Sequence, residues 1–347
     1  MTPPPVEKPT PKPLLSVVVP CFNEEEALPR LMAVLRESLE KGTAGAWEAI
    51  LVDDGSHDRT AELIREWQEK DARVKGILLS RNFGHQPAIS TGLAYASGTY
   101  IGVMDADMQD PPEVLLKCLA KAQAEKLDLV YAVRQTRTEG FLLTLCYRTF
   151  YRLMKAFAEH PWPLDSGDFS VFHRRCLRLM SEMPENVRVL RGLRCWVGLK
   201  QGSVAYDRPE RAAGEAKYSF SSLLALALSS LVGFSNAPLR LASVIGFWMS
   251  LATLLLGILI LINRFFPHFT LLNYYVGTNP GITTLAVLLC GIGSFLFLCM
   301  GILGEYLGLL IREVKRRPIA IVGGKIGDLR KQSGFRDIIE AEPRDDE

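Results

Sequence analysis

Two strongly apolar runs of this chain hold no charged side chain along lengths that could cross a membrane: Leu241 to Ile262, twenty-two residues, and Ile282 to Gly304, twenty-three. About 20 residues of helix cross a hydrocarbon core of roughly 30 Å, and a helix satisfies its own backbone hydrogen bonds there. The runs predict two transmembrane helices, 241–262 and 282–304 with an extension to 311, joined by a short outer loop. That loop holds one arginine and two aromatic pairs, Phe265-Phe266 and Tyr274-Tyr275, whereas Arg312, Lys315, Arg316 and Arg317 follow the second run. Positive charge marks the cytoplasmic side, so both long flanks are expected in the cytoplasm. The expected organisation is a disordered Pro-rich extension over 1–13, a large domain over 14–218, interfacial helices over 219–240, the hairpin over 241–311 and a cytoplasmic tail over 312–347.

The catalytic region follows from a second pattern. β-branched apolar runs (15–20, 47–52, 74–79, 100–104) alternate with amphipathic stretches (25–40, 59–69, 86–96). Strands apolar on both faces and separated by helices imply a doubly wound, mostly parallel α/β sheet. Such sheets bind ligands beyond the carboxyl ends of their strands. Polar clusters stand at those ends: Cys21-Phe22-Asn23-Glu24, Asp53-Asp54-Gly55-Ser56 and Asp105-Ala106-Asp107. A D-x-D pair at a strand end offers carboxylate oxygens to a hard divalent cation that completes its shell with substrate phosphate and water. Asp54-Gly55-Ser56 also reads as a turn into a helix capped by Ser56 or Asp58.

Other chemistries lack support. Forty Lys/Arg against thirty-eight Asp/Glu give +2, which suggests no bulk attraction to nucleic acid. The seven cysteines form no C-x-x-C, as suits a reduced, cytosol-facing protein. No phosphate-loop, dinucleotide or serine-hydrolase signature occurs, and the five histidines show no zinc spacing. His85 stands apart from the other four because it opens a helix near the expected crevice.

Val19-Pro-Cys-Phe-Asn-Glu24, Val52-Asp-Asp-Gly-Ser56, Ser80-Arg-Asn-Phe-Gly-His-Gln86 and Met104-Asp-Ala-Asp-Met-Gln-Asp-Pro-Pro-Glu113 resemble the inverting glycosyltransferases of family 2, which have the GT-A fold. Asp165-Ser-Gly-Asp-Phe169, Arg211 to Tyr218 and Pro238-Leu-Arg-Leu241 are similar to its polyprenyl-phosphate branch, that of bactoprenol glucosyltransferases and dolichol-phosphate mannose synthase. The resemblance implies that Pro20, Phe22, Glu24, Asp53 and Asp54 hold the nucleobase and ribose. It also implies that Asp105, Ala106 and Asp107 meet the donor diphosphate, with Asp105 and Asp107 on Mg2+ or Mn2+, while Arg211 and Lys217 reach the phosphates. Arg134, Arg148 and Arg152 are expected at the acceptor phosphate. Asp107 is expected in catalysis, with Asp165 and Asp168 as candidates for sugar binding or orientation; these last two also read as a turn before a strand at 169–172.

The implied reaction moves one hexose from a nucleotide sugar, UDP-glucose favoured, to undecaprenyl phosphate at the cytoplasmic face of a bacterial inner membrane. Gly304-Glu-Tyr-Leu-Gly308, a G-x-x-x-G at the end of the second run, permits close helix packing, and a homo-oligomer such as a tetramer is expected. From Arg134 to Lys217 fifteen Lys/Arg face nine Asp/Glu, a local positive excess suited to an anionic acceptor. A phosphate monoester is largely dianionic at neutral pH, so its attack needs little help from a base. Two rivals remain. A processive polysaccharide synthase would carry Q-x-x-R-W, which Arg191-Gly-Leu-Arg-Cys-Trp196 lacks, and a non-catalytic scaffold has no use for the acids at 105 and 107.

Overall fold

The computed structural model describes residues 12–134, 166–183, 190–207, 246–248, 251–252, 255 and 280–341. The chain divides into two compact units, one of 1–151, 160–217 and 315–347, the other of 152–159 and 218–314. Asp165, Arg148, Arg152, Arg211 and Lys217 lie outside the described residues, as do the extension over 1–11 and the expected interfacial helices.

In the first unit, β1 (Leu15–Cys21), β2 (Trp47–Asp53), β3 (Val74–Leu79) and β4 (Tyr100–Val103) alternate with α1 (Leu28–Thr43), α2 (Thr60–Lys70) and α3 (His85–Tyr95). α4 (Pro112–Ala124) and β5 (Leu129–Arg134) follow, then β6 (Ser166–His173), α5 (Arg174–Ser181), α6 (Leu190–Val197) and β7 (Gln201–Tyr206). After α7 (Pro280–Lys315) come β8 (Ala320–Ile326) and β9 (Ile338–Glu340). They form one sheet in the order β7-β5-β6-β4-β1-β2-β3-β8-β9. Strands β1 to β4 run parallel, whereas β6 enters antiparallel between β4 and β5.

Alternation along each central strand sends side chains to two buried layers. Leu15, Val17 and Val19 of β1 join one apolar cluster with Leu31, Leu35 and Leu39 of α1 and Leu115 and Leu119 of α4. Val18 joins the other, with Ile89 and Leu93 of α3 and Leu177 of α5. α3 lies against the sheet at Gly92, where an added Cβ would collide with Val18 Cγ1. That contact leaves no room for a side chain.

β8 and β9 lie within the expected tail over 312–347. β8 pairs antiparallel with β3, and β9 runs parallel to β8. Glu340 ties this edge down, accepting from Tyr95 Oη at 2.6 Å and from Lys325 Nζ at 2.7 Å.

In the second unit, α7 has 36 residues, and the run Ile282 to Gly304 falls inside it. Judged on described residues alone, no helix is long and apolar enough to cross a membrane. The two-helix hairpin expected from the uncharged runs is thus not found among the described residues. The run 241–262 is described only at 246–248, 251–252 and 255.

At the amino ends of the strands, Glu48 of β2 is buried at 3% exposure. Its Oε1 accepts from Ser16 Oγ (2.5 Å), Ser97 N (2.6 Å) and Ser97 Oγ (2.8 Å), and its Oε2 from Lys75 Nζ (2.8 Å). Burial alone would raise its pKa, but hydrogen bonds from Lys75 and Ser16 outweigh that and lower it. Glu48→Ala is expected to destabilise the fold by about 3 to 5 kcal/mol, because it strands the Lys75 ammonium, measured by urea unfolding. A carboxyl whose folded pKa is depressed contributes stability above its unfolded value of about 4.3 and loses it as pH falls through the folded value. The gap between wild type and the variant should therefore shrink in acid.

Candidate active site

Strand register explains why distant residues meet. Cys21 of β1 pairs with Asp53 of β2, so the loops after both strands emerge together. Val103 of β4 pairs with Ser170 of the antiparallel β6. Continuing that register two residues onward sets Asp105 opposite Asp168. Asp168 belongs to β6 itself, which replaces the expected turn before a strand at 169–172.

The loops after β1 and β2 zip together through side-chain to backbone bonds. Ser56 Oγ accepts from Asn23 N (3.0 Å), Asn23 Oδ1 from His57 N (3.0 Å), Thr60 Oγ1 from Glu24 N (2.9 Å) and Asp58 Oδ2 from Glu25 N (3.1 Å). Asn23 is left-handed at φ 55°, a conformation asparagine tolerates better than most residues. Pro20 is buried in β1 opposite Val52, and Phe22 and Glu24 stand half-buried beyond the strand end.

Asp53 and Asp54 are both buried but are used differently. Asp53 Oδ1 accepts from Ser56 N at 3.1 Å, closing the turn. Asp54 accepts from Phe83 N (2.7 Å) and Gly84 N (2.9 Å), one bond on each oxygen, and so clamps the loop that leads into α3. Burial pushes its pKa up against these two bonds, and the neighbouring Asp53 charge adds to the rise. Gly55, at φ 70°, lets the loops touch, since a Cβ there would lie 2.5 Å from the Arg81 carbonyl carbon.

In the D-x-D loop, Asp105 and Asp107 are half-buried and Ala106 is buried. Asp110 braces the loop from behind: its Oδ2 accepts from Asp105 N (3.2 Å) and its Oδ1 from Tyr206 Oη (3.1 Å). Met108 is forced to φ 62°. Gln109 N donates to Asp107 Oδ1 at 3.1 Å, while Gln109 Oε1 is buried with no hydrogen-bond partner among the described residues. A buried carboxamide oxygen without a partner, two residues after the second of two half-buried carboxylates in one loop, adds a further hard oxygen to a donor set of the kind Mg2+ or Mn2+ takes. Among the described residues no group of three His, Cys, Asp or Glu makes a complete cage, so a cation here would draw on substrate oxygens.

Asp168, 5% exposed, collects partners from three elements. Gln86 Nε2 of α3 donates to Oδ2 at 2.8 Å. Arg191 of α6 donates through Nε to Oδ1 (3.3 Å) and through Nη2 to Oδ2 (3.4 Å). His85 Nε2 lies between carboxylates, 3.7 Å from Asp168 Oδ2 and 3.5 Å from Asp105 Oδ1. Behind them the buried Arg194 donates to Gly167 O (2.8 Å), Asp168 O (3.2 Å) and Ser170 Oγ. Burial would raise the Asp168 pKa, but the bond to His85 and the charges of Arg191 and Arg194 hold it well below the carboxylate range. Burial also works to lower the His85 pKa, yet the bond to Asp168 and the charges of Asp105 and Asp168 raise it overall.

The structure thus gathers Asp105, Asp107 and Asp168, the Asp53/Asp54 turn, and Phe22 and Glu24 at one end of the sheet. Arg134 closes β5 at the same end, since Val133 pairs with Ser166; its side chain lies outside the described residues. Sequence reasoning gave no role to Gln86, Gln109, Arg191 or Arg194. Asp168 was marked as a candidate by the resemblance of Asp165-Ser-Gly-Asp-Phe169, but its place beside Asp105 and His85 comes from the β4–β6 register.

Over 313 residues the chain is 39% identical to the uncharacterized glycosyltransferase YkcC of Bacillus subtilis (strain 168), covering 90% of this chain and 94% of that one. Residues 16–179 match the model of glycosyl transferase family 2. The chain belongs to that family. The SfII prophage-derived bactoprenol glucosyl transferase of Shigella flexneri is 34% identical over 311 residues, 89% of this chain and 97% of that one. Among solved structures, glucosyl-3-phosphoglycerate synthase from Mycobacterium tuberculosis overlays 65% of this chain and 81% of its own, with TM-score 0.47 and 18% identity, too loosely to carry an argument.

His85 in this glycosyltransferase should titrate above the usual histidine value of about 6.5, and Asp168→Asn should bring it down, read from imidazole NMR shifts. A histidine raised in the folded state contributes stability below its unfolded pKa and loses it as pH rises through the folded value. A midpoint that ignores the Asp168 substitution would refute the pairing.

Proposed function

We propose that this glycosyltransferase moves one hexose from a nucleotide sugar to a polyprenyl phosphate at the membrane surface, with inversion and with a divalent cation. The observation that carries the reading is the 34% identity to a bactoprenol glucosyl transferase along 97% of that protein, together with a D-x-D loop whose Gln109 oxygen is orphaned. Asp105, Asp107 and Gln109 would hold Mg2+ or Mn2+, which supplies charge to stabilise a departing nucleoside diphosphate. The zipped loops carrying Phe22, Glu24 and Asp53 would seat the nucleoside. Asp54 acts one step back, holding loop 80–84 against them.

Asp168 suits anchoring better than proton transfer. A carboxylate pinned by Arg191, Gln86 and His85 with a strongly depressed pKa takes up a proton poorly near pH 7. An acceptor phosphate that arrives as a dianion does not require it to. Catalysis then rests on placing the acceptor and stabilising the leaving group.

Three observations support a membrane setting. Along α7, Leu285, Leu289, Leu296, Met300, Leu303, Leu307 and Leu310 are exposed, as are Phe247 and Trp248 in the other apolar run. So large an apolar surface is stable when lipid or another apolar surface covers it. A Cβ added at Gly246 would stand 3.3 Å from the Phe295 ring, so the two uncharged runs touch. Finally, the chain leaves the catalytic unit before 218 and rejoins it at 315, so any crossings between must be even in number.

The deciding experiment offers labelled nucleotide sugars and undecaprenyl phosphate to the purified full-length protein, followed by lipid extraction. One UDP-hexose, UDP-glucose foremost, should label the lipid with a single sugar. Chelator should abolish transfer, and folded Asp107→Asn should lose about a hundredfold or more. A polymeric product would favour a processive synthase, and no turnover of any donor would favour a scaffold. For the hairpin, a cysteine at Val276 in a Cys-free background should react with an impermeant thiol reagent outside intact cells; reaction only after lysis would reject the arrangement.

A further inference from the structure

β6 does not pair evenly with β5. Leu129, Val130 and Tyr131 face Phe172, Val171 and Ser170, but the next pair is Val133 with Ser166, so the single residue Ala132 spans residues 167–169 of β6. A bulge of this kind re-aims a side chain and frees backbone groups from the ladder, and those groups need other partners where they are buried. Here the partners come from behind the strand. Gly167 O accepts from Arg194 Nη2 (2.8 Å), and Asp168 O accepts from Arg194 Nη1 (3.2 Å) and from Ser170 Oγ (2.9 Å). Arg194 also donates to Ser170 Oγ itself. The guanidinium is 2% exposed, and its Nε has no hydrogen-bond partner among the described residues. A buried cation with one N–H unmet is harder to accommodate than an apolar side chain of the same volume. What Arg194 contributes is therefore a defined backbone shape at 167–170.

In front of the bulge, Gln86 acts on the side chain that the bulge projects. Its Nε2 donates to Asp168 Oδ2 (2.8 Å), and its Oε1 accepts from Leu190 N at the start of α6 (2.9 Å). An ionised carboxylate only accepts and a backbone N–H only donates, so the amide has one workable orientation. It fixes an oxygen of Asp168 together with the first residue of α6, the helix that carries Arg194.

We propose that Arg194 and Gln86 are positioning residues for sugar transfer: the arginine holds the β6 bulge, the glutamine fixes the carboxylate the bulge presents, and both act through Asp168. Asp168 passes the geometry on, since its Oδ2 lies 3.7 Å from His85 Nε2, which lies 3.5 Å from Asp105 Oδ1. Relaxation of the bulge would shift this row of groups against the D-x-D loop. A displacement of about 1 Å at a reacting centre can cost about a hundredfold in rate.

The inference rests on the polyprenyl-phosphate reading for its assay: full-length protein in lipid nanodiscs with Mg2+, undecaprenyl phosphate and the UDP-hexose that the wild type accepts. Folded Arg194→Lys and Gln86→Met should each slow a single turnover about ten- to hundredfold, while donor Kd by calorimetry stays within about twofold. Arg194→Met should be slower than Arg194→Lys, because an ammonium can still donate to one or two of the carbonyls. Should neither Arg194 variant fold, Ser170→Ala takes their place, since it removes one bond that closes the bulge and leaves the arginine.

Gln86→Glu separates positioning from packing. Protonated, the new carboxyl donates to Asp168 and accepts from Leu190 N as the amide does; ionised, it opposes the Asp168 charge amid His85, Arg191 and Arg194. Its rate relative to wild type should fall about tenfold or more as pH rises from about 5.5 to 8.5. A flat ratio at any level overturns the role of Gln86. A wild-type rate in a folded Arg194 or Ser170 variant overturns that of Arg194, and so does a donor Kd that weakens by the same factor as the rate. If wild-type protein charges no polyprenyl phosphate from any nucleotide sugar, the underlying reading of function fails, an outcome distinct from a misassigned positioning residue.

Discussion

The carboxylate of Asp168 is the contact on which the geometry of the crevice depends. It sits buried on β6, an antiparallel strand inserted into an otherwise parallel region, and reaches α3 through Gln86 and α6 through Arg191. Ionised carboxylates are stable inside a protein only when their lone pairs are occupied, and removal of one partner typically costs about 3 to 5 kcal/mol. Asp168 meets that condition with three side chains, while Arg194 satisfies the backbone around it. The arrangement costs solvation but fixes where α6 begins, where His85 points and how far β6 stands from the D-x-D loop.

The loops on the nucleotide side are held by a different device. Asn23, Ser56, Asp58 and Thr60 bind backbone N–H groups across two loops, and Asp54 does the same for a third. These polar side chains form a lattice that leaves few backbone groups loose at the rim of the sheet. Many of the residues a motif search marks as ligand contacts are therefore also frame. Asp54 is the clearest case, with both oxygens already bonded to protein.

Much of this was legible beforehand. Strands β1 to β4 match the expected apolar runs within a residue or two, because burial on both faces demands unbroken apolar stretches, and the carboxylates at 105 and 107 follow a strand as expected. The crevice's second half was legible as residues, with Asp168 and Arg134 named beforehand, but not as geometry. The pairing of β4 with β6 joins residues nearly seventy positions apart by backbone alone, so nothing near Asp168 announces that it faces Asp105. Arg191 and Arg194 look like part of a general basic excess until α6 is docked. Gln109 is an unremarkable amide in sequence; its burial without a partner makes it informative. Ile319-Ala-Ile-Val322 is apolar and β-branched but is followed by Gly323-Gly324, and nothing local shows that it covers the edge that β3 offers.

That edge strand sets an order on biosynthesis. β3 is made early, but its antiparallel neighbour β8 begins at Ala320, after both uncharged runs have left the ribosome. Until then one side of a parallel sheet presents open N–H and C=O groups, the surface most prone to pair with another chain. The nascent enzyme thus carries an incomplete sheet through the whole interval in which its apolar segments are synthesised. Residues 320–340 act as a latch, closing that edge only on chains synthesised past them.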